Sequence, residues 1–356
     1  MARAPTRSPR ELPALTGIRG LAAVVVMFGH AELWSQSGGH HFPAQIAVDL
    51  FFVLSGFVIS LTYLRADGRG VADWKGYGLA RFARIYPLHL ATAGLLGLTG
   101  ALLTLRSGQP LSSSIFDLGQ AVQELLLIAP LPIVGSEHIW NAPSWSIAIE
   151  WWVYFTLFPV LALIGWRLPA GAAALVALAA LAAIAVWLTL DADARVTRGW
   201  PALARGLAGF LAGWAAWRLT EAPFRWAPPS WLAGWVGLFI LAVAFGFAAF
   251  NDQPPWFCLP LLGVLIYALA ANPGGAGRLL SARPLLWLGD ISYSIYLLHV
   301  PVLMVMEKVG GKGPALGGPL VWMAICVPVS LLLGQLSYRL FERPAQKAIR
   351  SLRKKA

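Results

Sequence analysis

The chain has 356 residues, of which 58% are hydrophobic and 12% charged, and its mean hydropathy of +0.67 is far above that of a soluble domain of this length. Its net charge of +11 is spread over short loops and tails between apolar blocks, so it reports membrane topology and not a nucleic-acid surface. No Walker loop and no GxGxxG following a strand is present, which leaves nucleotide hydrolysis and Rossmann cofactor binding without support. The two cysteines, Cys258 and Cys326, lack metal-type spacing, so neither a metal site nor a disulfide framework is expected.

Apolar blocks lie near 18–34, 46–64, 86–105, 144–165, 171–190, 200–217, 230–250, 255–271, 285–307 and 317–339, each close to the roughly 20 residues that cross a hydrocarbon core. The prediction is an all-α polytopic transmembrane bundle of about ten spans. The first block has no small-residue cleavage pattern after it and is expected to be retained as a span. A further block, 118–134, contains Glu124 and is broken by Pro130 and Pro132. With ten spans and the N-terminus inside, the cytoplasmic side holds 21 of the 27 basic residues, as the positive-inside rule demands. Only Arg106, Arg195, Arg198, Lys308 and Lys312 fall outside, and Arg205 lies within a span. Segment 118–134 is therefore expected to be re-entrant or interfacial, and both termini cytoplasmic. No repeat or flexible linker divides the chain, which reads as one transmembrane domain, 1–344, with a basic cytoplasmic tail, 345–356. The Ala-rich stretch 170–185 suits close helix packing.

Ionisable residues inside spans are costly and mark functional candidates. Five stand out in chain order: His30, Asp49, Glu150, Arg205 and His299. Counted from the span ends, all five fall in the outer half of the bundle. Histidine beside a carboxylate is the usual arrangement for deprotonating a hydroxyl, so His30 is the expected base, with Asp49 or Glu150 as its carboxylate. Arg81 and Arg84 are three residues apart in RFARIYP and project side by side, either as positive-inside anchors or as a grip on phosphate at the cytoplasmic surface. Arg19 and His30 are 11 residues apart, about three helical turns with roughly 20° of drift and a rise of about 16 Å. Both therefore point into one groove, which suits an elongated ligand with a phosphate-rich head and a reactive tail, such as acyl-CoA.

Taken in order, several stretches resemble the acyltransferase-3 family of membrane O-acyltransferases: ALTGIRGLAAVVVMFGH with its Arg-x10-His pattern, AVDLFFVLSGFVIS, LARFARIYPLHL with Arg-x-x-Arg, APSWSIAIEWWVYFTLFP, LGDISYSIYLLHVPV and the closing FERP. The resemblance covers nearly the whole chain. It implies transfer of an acyl group, acetyl being the expected one, from cytoplasmic acyl-CoA to a hydroxyl of an extracytoplasmic glycan or glycolipid, in the bacterial cytoplasmic (inner) membrane. It implies His30 as catalytic histidine, Arg19 in catalysis or donor placement, and Arg81 and Arg84 on the donor. Trp145, Ser146, Glu150 and Tyr154 occupy the fourth-span motif, Arg205 an arginine before Phe-x-x-Gly, and His299 the late-span signature. Ala47 stands where glycine is common and Val153 where an aromatic is usual. No permanently bound cofactor is expected, and the extracytoplasmic SGNH domain of fused members is expected to be absent, so that the chain works alone, as a homo-oligomer or with a separate extracytoplasmic transferase. The transfer is expected to be direct, an acyl-enzyme on Ser55 or Ser144 being the other course. The rival class is a proton-coupled transporter or flippase of a glycan or lipid intermediate, which should carry inverted repeats or paired broken helices; none is visible.

Overall fold

The computed structural model describes residues 12–35, 42–65, 69–108, 118–134, 136, 138–191, 194–222, 228–248, 254–310 and 318–352. The first three arginines, Arg225, Lys312 and the last four residues of the tail lie outside these.

In lipid the backbone must satisfy its own polar groups, and a helix does so within one segment. The apolar blocks accordingly form α1 (Pro13–Ser35), α2 (Ala44–Tyr63), α3 (Trp74–Arg106), the pair α5 (Ser144–Phe155) and α6 (Leu157–Ile164), α7 (Ala170–Leu190), α8 (Gly199–Glu221), α9 (Leu232–Ala248), α10 (Leu259–Ala271), α12 (Arg283–Gly310) and α13 (Pro319–Ser337). Shorter helices are α4 (Leu118–Leu125), α11 (Gly274–Leu280) and α14 (Arg343–Ser351), the last joined to α13 by a π turn over Tyr338–Glu342. Among the described residues the only extended pairing is a bridge between Leu64 and Val71. Asp73 caps α3, its side chain accepting the Gly76 N–H at 2.8 Å.

Each of the ten predicted blocks is helical, and the protein is a multi-pass membrane protein. Seven helical runs among the described residues are long and apolar enough to cross a bilayer, eight if α10 and α11, bent by 88° at their junction, count as one span. Of the others, α9 is short, and α8 has the length but carries a buried arginine among glycines and tryptophans. The bend after α10 follows from its sequence: Asn272-Pro273-Gly274 stops the helix, and Gly274 adopts φ +54° with its Cα against the Ser230 carbonyl, where a side chain would collide.

Segment 118–134 forms no helix long enough to cross a bilayer. Its helix of eight residues reaches only about 12 Å. The chain then turns at Leu127, a buried residue with φ +56°, an uncommon conformation for a side chain of that size. The turn is held where it is by the Trp152 indole, which donates to the Leu127 carbonyl at 2.9 Å, and by the Gly199 N–H on the Pro130 carbonyl at 2.8 Å.

Small residues bring the central helices into backbone contact, the usual means of packing in a membrane. A side chain at Gly20 of α1 would strike Gly289 and Leu288 of α12, and one at Gly213 of α8 would strike Val53 and Gly56 of α2. The Ala-rich α7 buries Ala173, Ala177, Leu181, Ala185 and Leu188, one helical stripe, where it packs on α8. These contacts leave α1, α2, α3, α5 and α12 around a polar interior.

Candidate active site

A cavity of about 250 Å³ runs between these five helices. It is lined by Leu12, just before α1, and by Leu15, Thr16 and Arg19 of α1, the i, i+3, i+4, i+7 face of a helix. The same face continues through Ala23 and Val26 to His30. Arg81 enters from α3, donating from Nη2 to the Tyr63 hydroxyl at 3.0 Å and lying over the rings of Tyr63 and Tyr154 at 5.2 and 5.5 Å. The Nε atoms of Arg19 and Arg81 are both buried with no hydrogen-bond partner among the described residues. Unmatched buried donors of this kind call for a ligand or water, and arginine suits phosphate oxygens. Arg84 differs. It forms an ion pair with Glu342, a buried carboxylate in the π turn that also accepts the Ser294 hydroxyl at 2.6 Å, and it stacks over Tyr293 at 4.7 Å.

Further along, Glu150 of α5 accepts hydrogen bonds from Ser55 of α2 and from the Tyr154 hydroxyl, the latter at 2.5 Å. All three residues line the cavity. Ser146, one turn before Glu150, is bonded to the Tyr296 hydroxyl at 2.7 Å, and both residues line the cavity. The Tyr296 ring lies 6.1 Å from that of His299, so a ring that lines the cavity packs against the histidine pair.

His30 of α1 and His299 of α12 face each other, with His30 Nδ1 and His299 Nε2 3.2 Å apart. Each ring is also held to its own helix: His30 Nδ1 lies 3.0 Å from the Val26 carbonyl, and His299 Nδ1 lies 3.0 Å from the Ile295 carbonyl. His299 is fully buried, whereas His30 keeps partial access.

Asp49 and Arg205 form a separate group. Arg205 of α8 grips Asp49 with Nε at 2.9 Å and Nη2 at 3.0 Å, and donates to the carbonyls of Val196 at 2.5 Å and Gln45 at 3.2 Å. Its guanidinium lies 4.9 Å from the Trp145 ring and 5.0 Å from the Trp256 ring. Both charges are almost completely buried, and the geometry satisfies each of them.

The Acyltransferase domain family matches residues 12–339, nearly the whole chain. The chain belongs to this acyltransferase family. It is 28% identical to Acyltransferase MdmB of Streptomyces mycarofaciens, over 95% of this chain and 92% of that protein. It is 28% identical to the exopolysaccharide production protein ExoZ of Rhizobium meliloti, over 90% of this chain and 95% of that one. The peptidoglycan O-acetyltransferase OatA of Listeria monocytogenes is 25% identical over 98% of this chain, which spans 58% of the Listeria protein. A Bacillus subtilis relative is matched over 55% of its length. No solved structure matches the chain.

The acyltransferase thus distributes its five intramembrane ionisable residues over three places, not one. His30 and His299 meet each other; Asp49 meets Arg205; Glu150 meets Ser55 and Tyr154. The carboxylate sought beside His30 is not there: Asp49 is held at both oxygens by Arg205, and Glu150 lies within the cavity. Arg19, Arg81 and Arg84 line one cavity, but His30, which the groove argument placed with Arg19, is not among its lining residues. Sequence reasoning missed Glu342, Tyr293 and Tyr296. Their signal was present, since Glu342 belongs to FERP and both tyrosines to the YSIYLLH stretch, but an arginine's preference for a partner two hundred residues away has no period to read.

Proposed function

We propose that this acyltransferase moves an acyl group, acetyl in the first instance, from cytoplasmic acyl-CoA to a hydroxyl of an extracytoplasmic glycan or glycolipid, with His30 as the base, in the bacterial cytoplasmic membrane. The observation that carries this reading is the cavity itself. Its lining has unmatched arginine donors, suited to a phosphate-rich head, and a tyrosine ring that packs against the histidine pair. The names of the relatives support the acceptor class, since OatA is named for peptidoglycan O-acetylation and ExoZ for exopolysaccharide production.

In the reaction so read, Arg19 and Arg81 hold the phosphates of the donor and the thioester reaches past Tyr296 towards His30. His30 Nε2 takes the proton of the acceptor hydroxyl as its oxygen attacks the thioester carbonyl. The C–S bond then breaks, and the departing thiolate takes that proton back from His30, leaving free CoA and an O-acyl ester. With ten spans and both termini inside, the arginines face the cytoplasm and the histidines the far side. The test is His30→Ala in purified protein. It should insert and bind acetyl-CoA as the wild type does but release no CoA thiol in the presence of cell-envelope glycan. Substantial turnover by that variant would remove His30 from the reaction. Compositional analysis of cell-surface glycans with and without the gene identifies the acceptor.

A further inference from the structure

The histidine pair fixes where the protons sit. A carbonyl oxygen only accepts, so the 3.0 Å contact between His299 Nδ1 and the Ile295 carbonyl places a hydrogen on that nitrogen. Two N–H groups cannot face each other at 3.2 Å, so His299 is neutral and its Nε2 presents a lone pair to His30. By the same reasoning His30 Nδ1, 3.0 Å from the Val26 carbonyl, carries a hydrogen and shares it between that carbonyl and His299 Nε2. In the neutral ring the remaining nitrogen of His30, Nε2, then carries the lone pair.

No carboxylate contacts either ring among the described residues. Glu32, on α1, accepts the Phe42 N–H at 3.3 Å, and Glu307, on α12, accepts the Trp34 indole at 2.8 Å. Asp49 is engaged by Arg205 and Glu150 by Ser55 and Tyr154. The ring packed on His30 is His299 alone, with centroids 5.0 Å apart and planes inclined by 53°.

We propose that His299 is the positioning residue for His30. Its Nε2 accepts the Nδ1–H of His30, holds His30 in the tautomer whose Nε2 is the base, and stabilises the imidazolium that forms when that base takes a proton. In a water-exposed site a carboxylate commonly does this. Within the bilayer a neutral imidazole does it without adding a resting charge that the site would have to neutralise. The proposal rests on the reading of His30 as the base.

The test uses the full chain in lipid nanodiscs, labelled with 15N-histidine, with acetyl-CoA and cell-envelope glycan as the assay pair. Wild-type His30, assigned by its disappearance in His30→Gln, should show the single Nδ1-protonated form. In His299→Leu that signal should become a mixture of tautomers, and turnover should fall about 10- to 100-fold, the loss typical of removing a partner that orients a functional histidine, with the KM for acetyl-CoA unchanged. In His299→Gln, whose side-chain oxygen can accept the same hydrogen, both the tautomer and most of the turnover should return. An unchanged tautomer and wild-type turnover in His299→Leu would overturn the proposal, as would a folded His299→Gln that resembles His299→Leu. Normal turnover by His30→Gln would instead sink the assignment of the base, and the tautomer signal would still decide whether His299 fixes His30.

Discussion

The Asp49–Arg205 pair offers the sharpest separation of a structural role from a catalytic one. Its two side chains are at most 4% exposed, and Arg205 makes four hydrogen bonds besides lying between two tryptophans. Removing one partner of such a pair leaves the other charge buried without compensation, at a cost of about 3–5 kcal/mol. Arg205→Met should therefore lower the folding equilibrium by about 100-fold or more, since each 1.4 kcal/mol is about tenfold. Asp49→Leu should do the same. Replacing both removes the two charges together, and buried ion pairs exchanged for apolar residues of similar volume are often close to neutral. The Leu/Met double variant should then recover most of the lost stability, with a coupling energy of about 5 kcal/mol or more between the sites, since two losses of about 3–5 kcal/mol would collapse to nearly none. SDS unfolding in mixed micelles, followed by tryptophan fluorescence, measures all four proteins, and CoA release from acetyl-CoA measures their activity. If the pair only joins α2 to α8, a folded double variant turns over near the wild-type rate. Near-native stability with turnover abolished would refute that reasoning and return Asp49 to the chemistry.

Arg81→Lys keeps the positive charge but loses the planar fork, so acetyl-CoA affinity should fall about tenfold with insertion unaffected; equal affinity in a binding titration would leave Arg81 as a membrane anchor. Arg84→Lys tests the ion pair with Glu342, and it should weaken thermal stability while changing donor affinity less than Arg81→Lys does. Glu124, in α4 between two spans, is pushed by burial from 4.5 to about 7, so its folded form favours the proton; it stabilises the fold below about pH 4.5, and that contribution fades as pH rises through about 7. Glu124→Gln should flatten the stability profile over that window and unfold at higher temperature at pH 8; an unchanged pH profile would contradict the burial argument. A cysteine placed at Ser136 should label from outside intact cells and one at Gly70 should not; protection of position 136 would mean that 118–134 crosses the membrane. The matching probe near Ser113 lies outside the described residues.

The spans were legible because lipid imposes one rule on every one of them, apolar length, and each predicted block is a helix. The re-entrant reading of 118–134 came from charge bias, and the buried turn at Leu127 agrees with it. Depth was not legible. Ser55 lies about 11 residues into α2 and its partner Glu150 about 6 into α5, so residues counted from block ends do not share a level when helices start at different heights. Arg19 and His30 lie on one face of one helix, as the 3.6-residue repeat dictates, yet only Arg19 lines the cavity, because a shared face does not fix how far a cavity extends along it. What paired with His30 could not be read from residue type. A carboxylate was the chemical expectation, and the partner is a second histidine from the end of the chain.

The placing of polar groups along the cavity has a physical logic of its own. A transferase that serves two faces of a membrane must let a charged donor approach a reactive centre without leaving an open water path through the hydrocarbon. Among the described residues several polar groups along this route are closed on a neighbour: Glu150 on Ser55 and Tyr154, Ser146 on Tyr296, His299 on His30. The Nε atoms of Arg19 and Arg81, which also line the cavity, have no such partner among them. Ser146 and Tyr296 come from two motifs that stand 150 residues apart, and their hydrogen bond joins those motifs in the wall of the cavity beside the histidine pair. Breaking that joint costs about one neutral hydrogen bond, roughly 0.6 kcal/mol in a membrane interior. If the proposed reaction holds, that is small enough for a thioester reaching from the cavity towards His30 to displace.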